Sequence, residues 1–288
     1  MNVNVRHTTT YLYREPVSIC HTEVRLAPRE DRSQYVVEHS LSVSPIPDRM
    51  FGHKDYFGNN VIYFSLHEPH QSLTIAAETS IELEKVEPLD PRLTPPWKEA
   101  LCQEWRHEEE HKLTAYQFVF ESPRITLAPE FAEYASRSFP PDRPILEACL
   151  DLCHRIHADF QYDQEATTVA TSVTEVFETK RGVCQDFAHF AIAALRSLGF
   201  AAQYVSGYLR NVDMVGSQAS HAWIGLYCPG FGWLGLDPTN DQLVDGNHIM
   251  LACGRDYADV APVKGVAVGG GEQVIDVSVV VENGGTPV

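Results

Sequence analysis

Two periodicities divide the chain. As far as about residue 85, apolar and polar positions alternate with period two: Val3, Val5, His7, Thr9 and Tyr11 share one face, as do Tyr35, Val37, His39, Leu41 and Val43. Short runs at 61–66, 73–77 and 80–84 are separated by Pro, Asp, Gly and Asn clusters, which predicts an antiparallel sheet or sandwich without a helix between 3 and 43. Beyond a proline-rich connector at 87–96 the period changes. Trp97, Leu101 and Trp105 recur at helix spacing, and a short helix starts near Pro129. Leu146, Cys149, Leu150, Cys153 and Ile156 make an apolar stripe that Asp142 can cap. Ser172-Val-Thr-Glu175 is a capping box for one more short helix, which Gly182 ends. Phe187, Phe190, Ala191, Ala194, Leu195 and Leu198 then line one face of a helix stopped at Gly199. Strands follow at 201–209, 220–227, 233–237 and 249–253. A last alternating run, Ile275, Val277, Val279 and Val281, is expected to close the sheet carrying His221. The pattern gives an N-terminal all-β domain over 1–90, a linker with a helix over 91–122, and an α+β core over 123–288.

The candidate chemistry sits where that core begins its longest apolar helix. In Arg181-Gly-Val-Cys184-Gln185-Asp-Phe-Ala188, Cys184 falls on the first turn. Unsatisfied backbone N–H groups and the positive end of the helix dipole favour a thiolate there and can hold an oxyanion. A buried structural cysteine is the other reading of Cys184. Downstream, Ser220-His221-Ala-Trp-Ile-Gly-Leu-Tyr227 alternates like a strand and Trp233-Leu-Gly-Leu-Asp237-Pro238 like its return, with Pro229-Gly-Phe-Gly232 as the turn. If Tyr227 faces Trp233, Asp237 lies opposite Trp223, one diagonal step from His221 on the same face. Nucleophile, general base and orienting carboxylate are then all supplied.

These blocks carry a resemblance. Arg-Gly-Val-Cys-Gln-Asp-Phe-Ala-His, Tyr204-Val-Ser-Gly-Tyr208, Ser-His-Ala-Trp and Gly-Trp-Leu-Gly-Leu-Asp-Pro-Thr resemble, in order, the transglutaminase-like core of bacteria. Val5-Arg-His-Thr-Thr-Thr-Tyr11, Arg25-Leu-Ala-Pro-Arg29 and Asp55-Tyr-Phe-Gly-Asn59 resemble the β domain preceding that core in one bacterial branch. The resemblance implies an α+β, papain-like or transglutaminase-like core, with helices packed on an antiparallel sheet, behind an all-β domain. It implies Cys184, His221 and Asp237 as the triad. Tyr162 and Gln185 would line the cleft or donate to the oxyanion, aromatic packing being the other role open to Tyr162. The block at 254–259 is also shared, and its polar side chains are expected near the cleft. Residues 97–112 match no motif of the family.

Composition narrows partners and compartment. The net charge, 22 − 39 = −17, disfavours nonspecific binding to nucleic acid or anionic membrane. Seven scattered cysteines form neither a disulfide framework nor paired zinc ligands, and no apolar leader or membrane-length run is present, so a cytoplasmic protein is expected. His107-Glu-Glu-Glu-His111 satisfies H-E-x-x-H, yet Arg106 and Lys112 flank it and no third ligand follows, so it reads as a charged helix end. No catalytic metal and no cofactor are expected. The function read from the chain is a thiol-dependent acyl-transfer enzyme acting on amide bonds of a peptide or protein, as a cysteine protease or amidase. The alternatives are a transglutaminase, which passes a glutamine acyl group to an amine, and a noncatalytic binding module that keeps the fold.

Overall fold

The computed structural model describes residues 1–284 except 32, 86, 88, 102–109 and 218, with 110–112 described for backbone only. The first sheet grows around β1 (Asn2–Val24), whose 23 residues are long enough to serve two sets of neighbours. Its N-terminal half pairs with β5 (His70–Leu83), which carries β2 (Gln34–Ser44) on its far side. Its C-terminal half pairs with β4 (Asn60–Leu66), which carries β3 (Arg49–Lys54). Alternation sets the buried face, with Val3, Val5, His7 and Thr9 all turned inward. As expected, no helix interrupts the described residues of 3–43.

The core follows. Trp97–Ala100 forms one 3-10 turn and Leu101 is extended, so the helix expected through Trp97 and Leu101 does not form there. The chain then runs through α1 (Glu110–Tyr116), α2 (Pro129–Ser136), α3 (Ile145–Asp159), β6 (Gln161–Tyr162), α4 (Val173–Thr179), β7 (Arg181–Gly182) and α5 (Cys184–Ser197). Every residue of α5 from Cys184 to Arg196 is buried. Such all-round burial places this helix at the centre of the core rather than on its surface. It packs on β8 (Ala202–Leu209) and β9 (His221–Cys228), which with β10 (Gly232–Asp237), β11 (Gln242–Leu243) and β12 (His248–Gly254) make an antiparallel sheet in the order β11-β10-β9-β8-β12. Strands β8 and β9 are buried on both faces.

After α6 (Tyr257–Val260) the chain returns to where it began. Strands β13 (Val263–Gly269) and β14 (Gln273–Asn283) pair with the two halves of β1, and Val277 lies opposite Thr9. The expectation that the Val277 strand closes the sheet of His221 is therefore wrong. A period-two pattern identifies a strand but does not name its neighbour, and β1 offers a full-length second edge once β5 and β4 have taken the first.

The edge of the second sheet is covered from the first by two amide side chains. Gln34 donates to the Met250 carbonyl at 2.7 Å and accepts from the Met250 N–H at 2.9 Å. Asn59 does the same for Cys253, at 2.8 and 2.9 Å, while Arg29 and Asp55 take its remaining hydrogen bonds. Each amide acts as a one-residue strand on an edge that would otherwise carry unpaired backbone groups. Asn59→Ala should destabilise the protein by about 1–3 kcal/mol for each orphaned group, measured by urea unfolding. His53→Ala, on an exposed strand, should stay within about 0.5 kcal/mol of wild type.

Candidate active site

Three local devices set Cys184 at the start of α5. Val183 is extended and ends the preceding bridge, in which β7 lies parallel to β6 with Gly182 opposite Tyr162. Asp186, one turn into the helix, accepts from the Val183 N–H at 2.8 Å and from the Thr167 hydroxyl at 2.6 Å. Gly182 leaves room for that carboxylate, since a Cβ there would lie 2.6 Å from its Oδ2. Burial pushes the Asp186 pKa up, against these two hydrogen bonds. Cys184 itself is 8% exposed, the small opening a reagent needs.

His221 and Asp237 meet as the strand register predicts. Trp233 faces Tyr227, Leu236 faces Ile224, and His221 Nε2 lies 2.8 Å from Asp237 Oδ2. Among the described residues, Nδ1 of His221 is buried without a hydrogen-bond partner. Cys184 is close enough to interact with this imidazole, although no hydrogen bond closes between them. Contacts of this kind are often long until substrate binds. Burial lowers the His221 pKa, but the hydrogen bond to Asp237 and the neighbouring Cys184 more than offset it, and the net direction is upward.

Asp237 is wholly buried and bonded on both oxygens. Oδ1 accepts from the N–H groups of Thr239 (2.9 Å) and Asn240 (3.2 Å). Oδ2 takes His221, the Asn240 side-chain amide at 2.8 Å and His248 Nε2 at 3.2 Å. Burial alone raises its pKa; the hydrogen bonds from His221 and His248 reverse this and hold it well below the usual carboxylate range. Asn240 also grips the loop before β9, accepting from Val215 N–H at 2.9 Å and donating to its carbonyl at 3.2 Å. That grip sets Gly216 over the histidine, where a Cβ would lie 2.6 Å from Nδ1.

Tyr162 and Gln185 both come near Cys184. The β6–β7 pairing brings Tyr162 alongside, its ring 6.2 Å from that of Phe187, and burial and then Cys184 raise its pKa. Gln185 is buried on the first turn of α5. The polar groups of 254–259 are tied to the elements around them. Asp256 caps α6 and accepts from Arg124 N–H, Arg255 pairs with Asp259, and Tyr257 N–H donates to His189 on α5. The side chains of His107 to His111 lie outside the described residues. Asn240, Gly216 and His248 escape sequence reasoning; only Asn240, three residues past Asp237, offers a local signal.

A cysteine on a helix N-terminus beside a histidine and aspartate on adjacent antiparallel strands, behind a β domain, marks a class of fold that comparison with known proteins makes definite. Residues 3–82 match the bacterial transglutaminase-like N-terminal region, and residues 132–238, which span Cys184, His221 and Asp237, match the transglutaminase-like superfamily. The chain belongs to that superfamily. It is 41% identical to an uncharacterized protein of Mycobacterium tuberculosis over 96% of this chain and 90% of that one. It is 30% identical to the protein-glutamine gamma-glutamyltransferase of Pseudomonas aeruginosa over 38% of this chain and 18% of the other. Among solved structures, a Cytophaga hutchinsonii protein described as a "putative cysteine protease" shares the fold with a TM-score of 0.78 at 20% identity, covering 100% of this chain and 92% of its own.

The site's electrostatics fix a stability signature. Asp237→Asn leaves the buried imidazoles without their shared counter-charge and should cost about 3–5 kcal/mol near neutral pH. Because the Asp237 pKa is depressed on folding, its contribution is present above the unfolded value of about 3.9 and is lost as pH falls below it. Urea unfolding should therefore show the difference between wild type and variant holding from pH 7 to about 4 and shrinking as the pH falls further.

Proposed function

We propose that this chain is a thiol-dependent acyl-transfer enzyme acting on amide bonds of peptides or proteins, with Cys184 as nucleophile, His221 as general base and acid, and Asp237 as the group that orients the imidazole. The observation carrying this reading is the division of labour on His221. Its Nε2 is committed to Asp237 at 2.8 Å, which leaves Nδ1 as the one nitrogen able to exchange a proton with the thiol. In the proposed reaction the Cys184 proton passes to Nδ1 as sulfur bonds the carbonyl carbon. The tetrahedral oxyanion is held by backbone N–H groups at the start of α5, with Gln185 or Tyr162 as further donors. Nδ1 then protonates the departing amine as the C–N bond breaks, leaving a thioester.

Resolution of the thioester by water makes the protein a cysteine protease or amidase, and this is our first reading. Resolution by an amine makes it a transglutaminase, a reading favoured by the named activity of the Pseudomonas aeruginosa relative. A peptide or protein substrate, with neither nucleic acid nor membrane as partner, fits the net charge of −17. A cytoplasmic location is part of the proposal and is supported by the six described cysteines, all free. Among the described residues no helix is long and apolar enough to cross a membrane.

Intact-mass analysis after incubation with glutamine-containing peptides, with and without a primary amine, tests the reading. Cleavage or deamidation without amine supports hydrolysis, and an amine adduct supports transfer. Cys184→Ala should abolish either product and His221→Ala should lower kcat by about 10²–10⁴-fold. Unchanged turnover in Cys184→Ala would overturn the assignment, and an absence of product throughout would favour the binding module.

A further inference from the structure

We infer that His248 is a positioning residue of this site, a second imidazole on the Asp237 carboxylate that weakens the hold of Asp237 on the His221 proton. The inference rests on the proposed role of His221 as base. His248 is the first residue of β12, and its side chain is fully buried. Its Nε2 lies 3.2 Å from Asp237 Oδ2, the same oxygen that His221 Nε2 reaches at 2.8 Å. Its Nδ1 lies 3.1 Å from Asp245 Oδ1 and 3.3 Å from the Asp245 N–H, which donates to it when that nitrogen carries a lone pair. Both ring nitrogens thus face carboxylate oxygens. Only the imidazolium donates to both; a neutral ring can accept the Asp245 N–H at 3.3 Å, but it then sets that lone pair against Asp245 Oδ1 at the shorter 3.1 Å.

The other groups around this cluster leave that charge in place. Trp223 presents an uncharged ring 5.1 Å from the His248 ring. From α3, Cys153 is a fully buried thiol whose pKa is pushed up by burial and by Asp237, so it stays neutral. Arg210 is engaged with Asn247 at 2.9 Å, and Asn240 contributes a neutral amide. One negative charge on Asp237 is therefore divided between two imidazoles whose centroids are 6.5 Å apart. Burial pushes the His248 pKa down, but Asp237 and Asp245 reverse the direction, and His221 opposes them. By reciprocity, the His248 charge lowers the proton affinity of His221. A lower proton affinity of His221 eases return of the proton to a leaving amine.

His248→Gln preserves a neutral donor toward Asp237 and removes the charge. Titration of the His221 ring by ¹⁵N NMR should show its pKa rising by about one to two units, the size expected for a unit charge at this separation in an intermediate dielectric. An unchanged or lowered His221 pKa in the folded variant would overturn the inference. If His248→Gln does not fold, Asp245→Asn, at the solvent-exposed end of the chain of contacts, should lower the pKa of His248 itself. A stationary His248 titration would equally refute the assignment. Neither readout requires turnover, so failure of the proposed activity and failure of this inference are separable.

Discussion

Asp237 carries a charge with no exposure to water, and much of the core is arranged to keep it there. An ionised carboxylate in such a place is tolerable only when every lone pair is used and a counter-charge is near. Two backbone N–H groups, one amide and two imidazoles meet those conditions. The hairpin register of β9 and β10 places the first imidazole, β12 supplies the second, and Asn240 ties both to the loop over His221. Removing the charge would therefore disturb the loop and two strands together. The same hydrogen bonds that make the carboxylate affordable in the interior orient His221 for its proposed work.

The second constraint is the free edge of β12. A strand that ends a sheet exposes a row of unpaired N–H and C=O groups. Here the N-terminal sheet covers it with Gln34 and Asn59, and His7 reaches Tyr208 on β8 at 2.8 Å. The two sheets also share one continuous apolar core. The β domain thus braces the strand that carries His248, which links a structural contact far from Cys184 to the residues around Asp237.

Much of this was legible in the sequence because it depends on local rules. The apolar stripe of α5 puts Cys184 on a helix N-terminus, and the Pro229-to-Gly232 turn fixes a register that brings Asp237 to His221. Period two makes the first 85 residues β, and the expected fold class holds. What stayed hidden depends on neighbours that no pattern names. The Val277 strand alternates correctly but pairs with β1, a choice made by which edge is vacant. His248 lies eleven residues beyond Asp237 in no recognisable motif, and its role arises from a fold that returns β12 beside β8. The hydrogen bonds of Asn59 likewise exist only after both sheets are docked.

The central claim, that Cys184 is a nucleophile made reactive by His221 on the Asp237 carboxylate, is tested most directly by the rate at which each cysteine of the folded protein is alkylated. Limiting iodoacetamide near neutral pH, followed by peptide mass spectrometry, should label Cys184 well ahead of Cys20, Cys149, Cys153, Cys228 and Cys253, which are also buried but lack an imidazole acting on the thiol. His221→Ala should remove that lead. Labelling of Cys184 at the rate of the other buried cysteines, or a lead that survives in His221→Ala, would contradict the account.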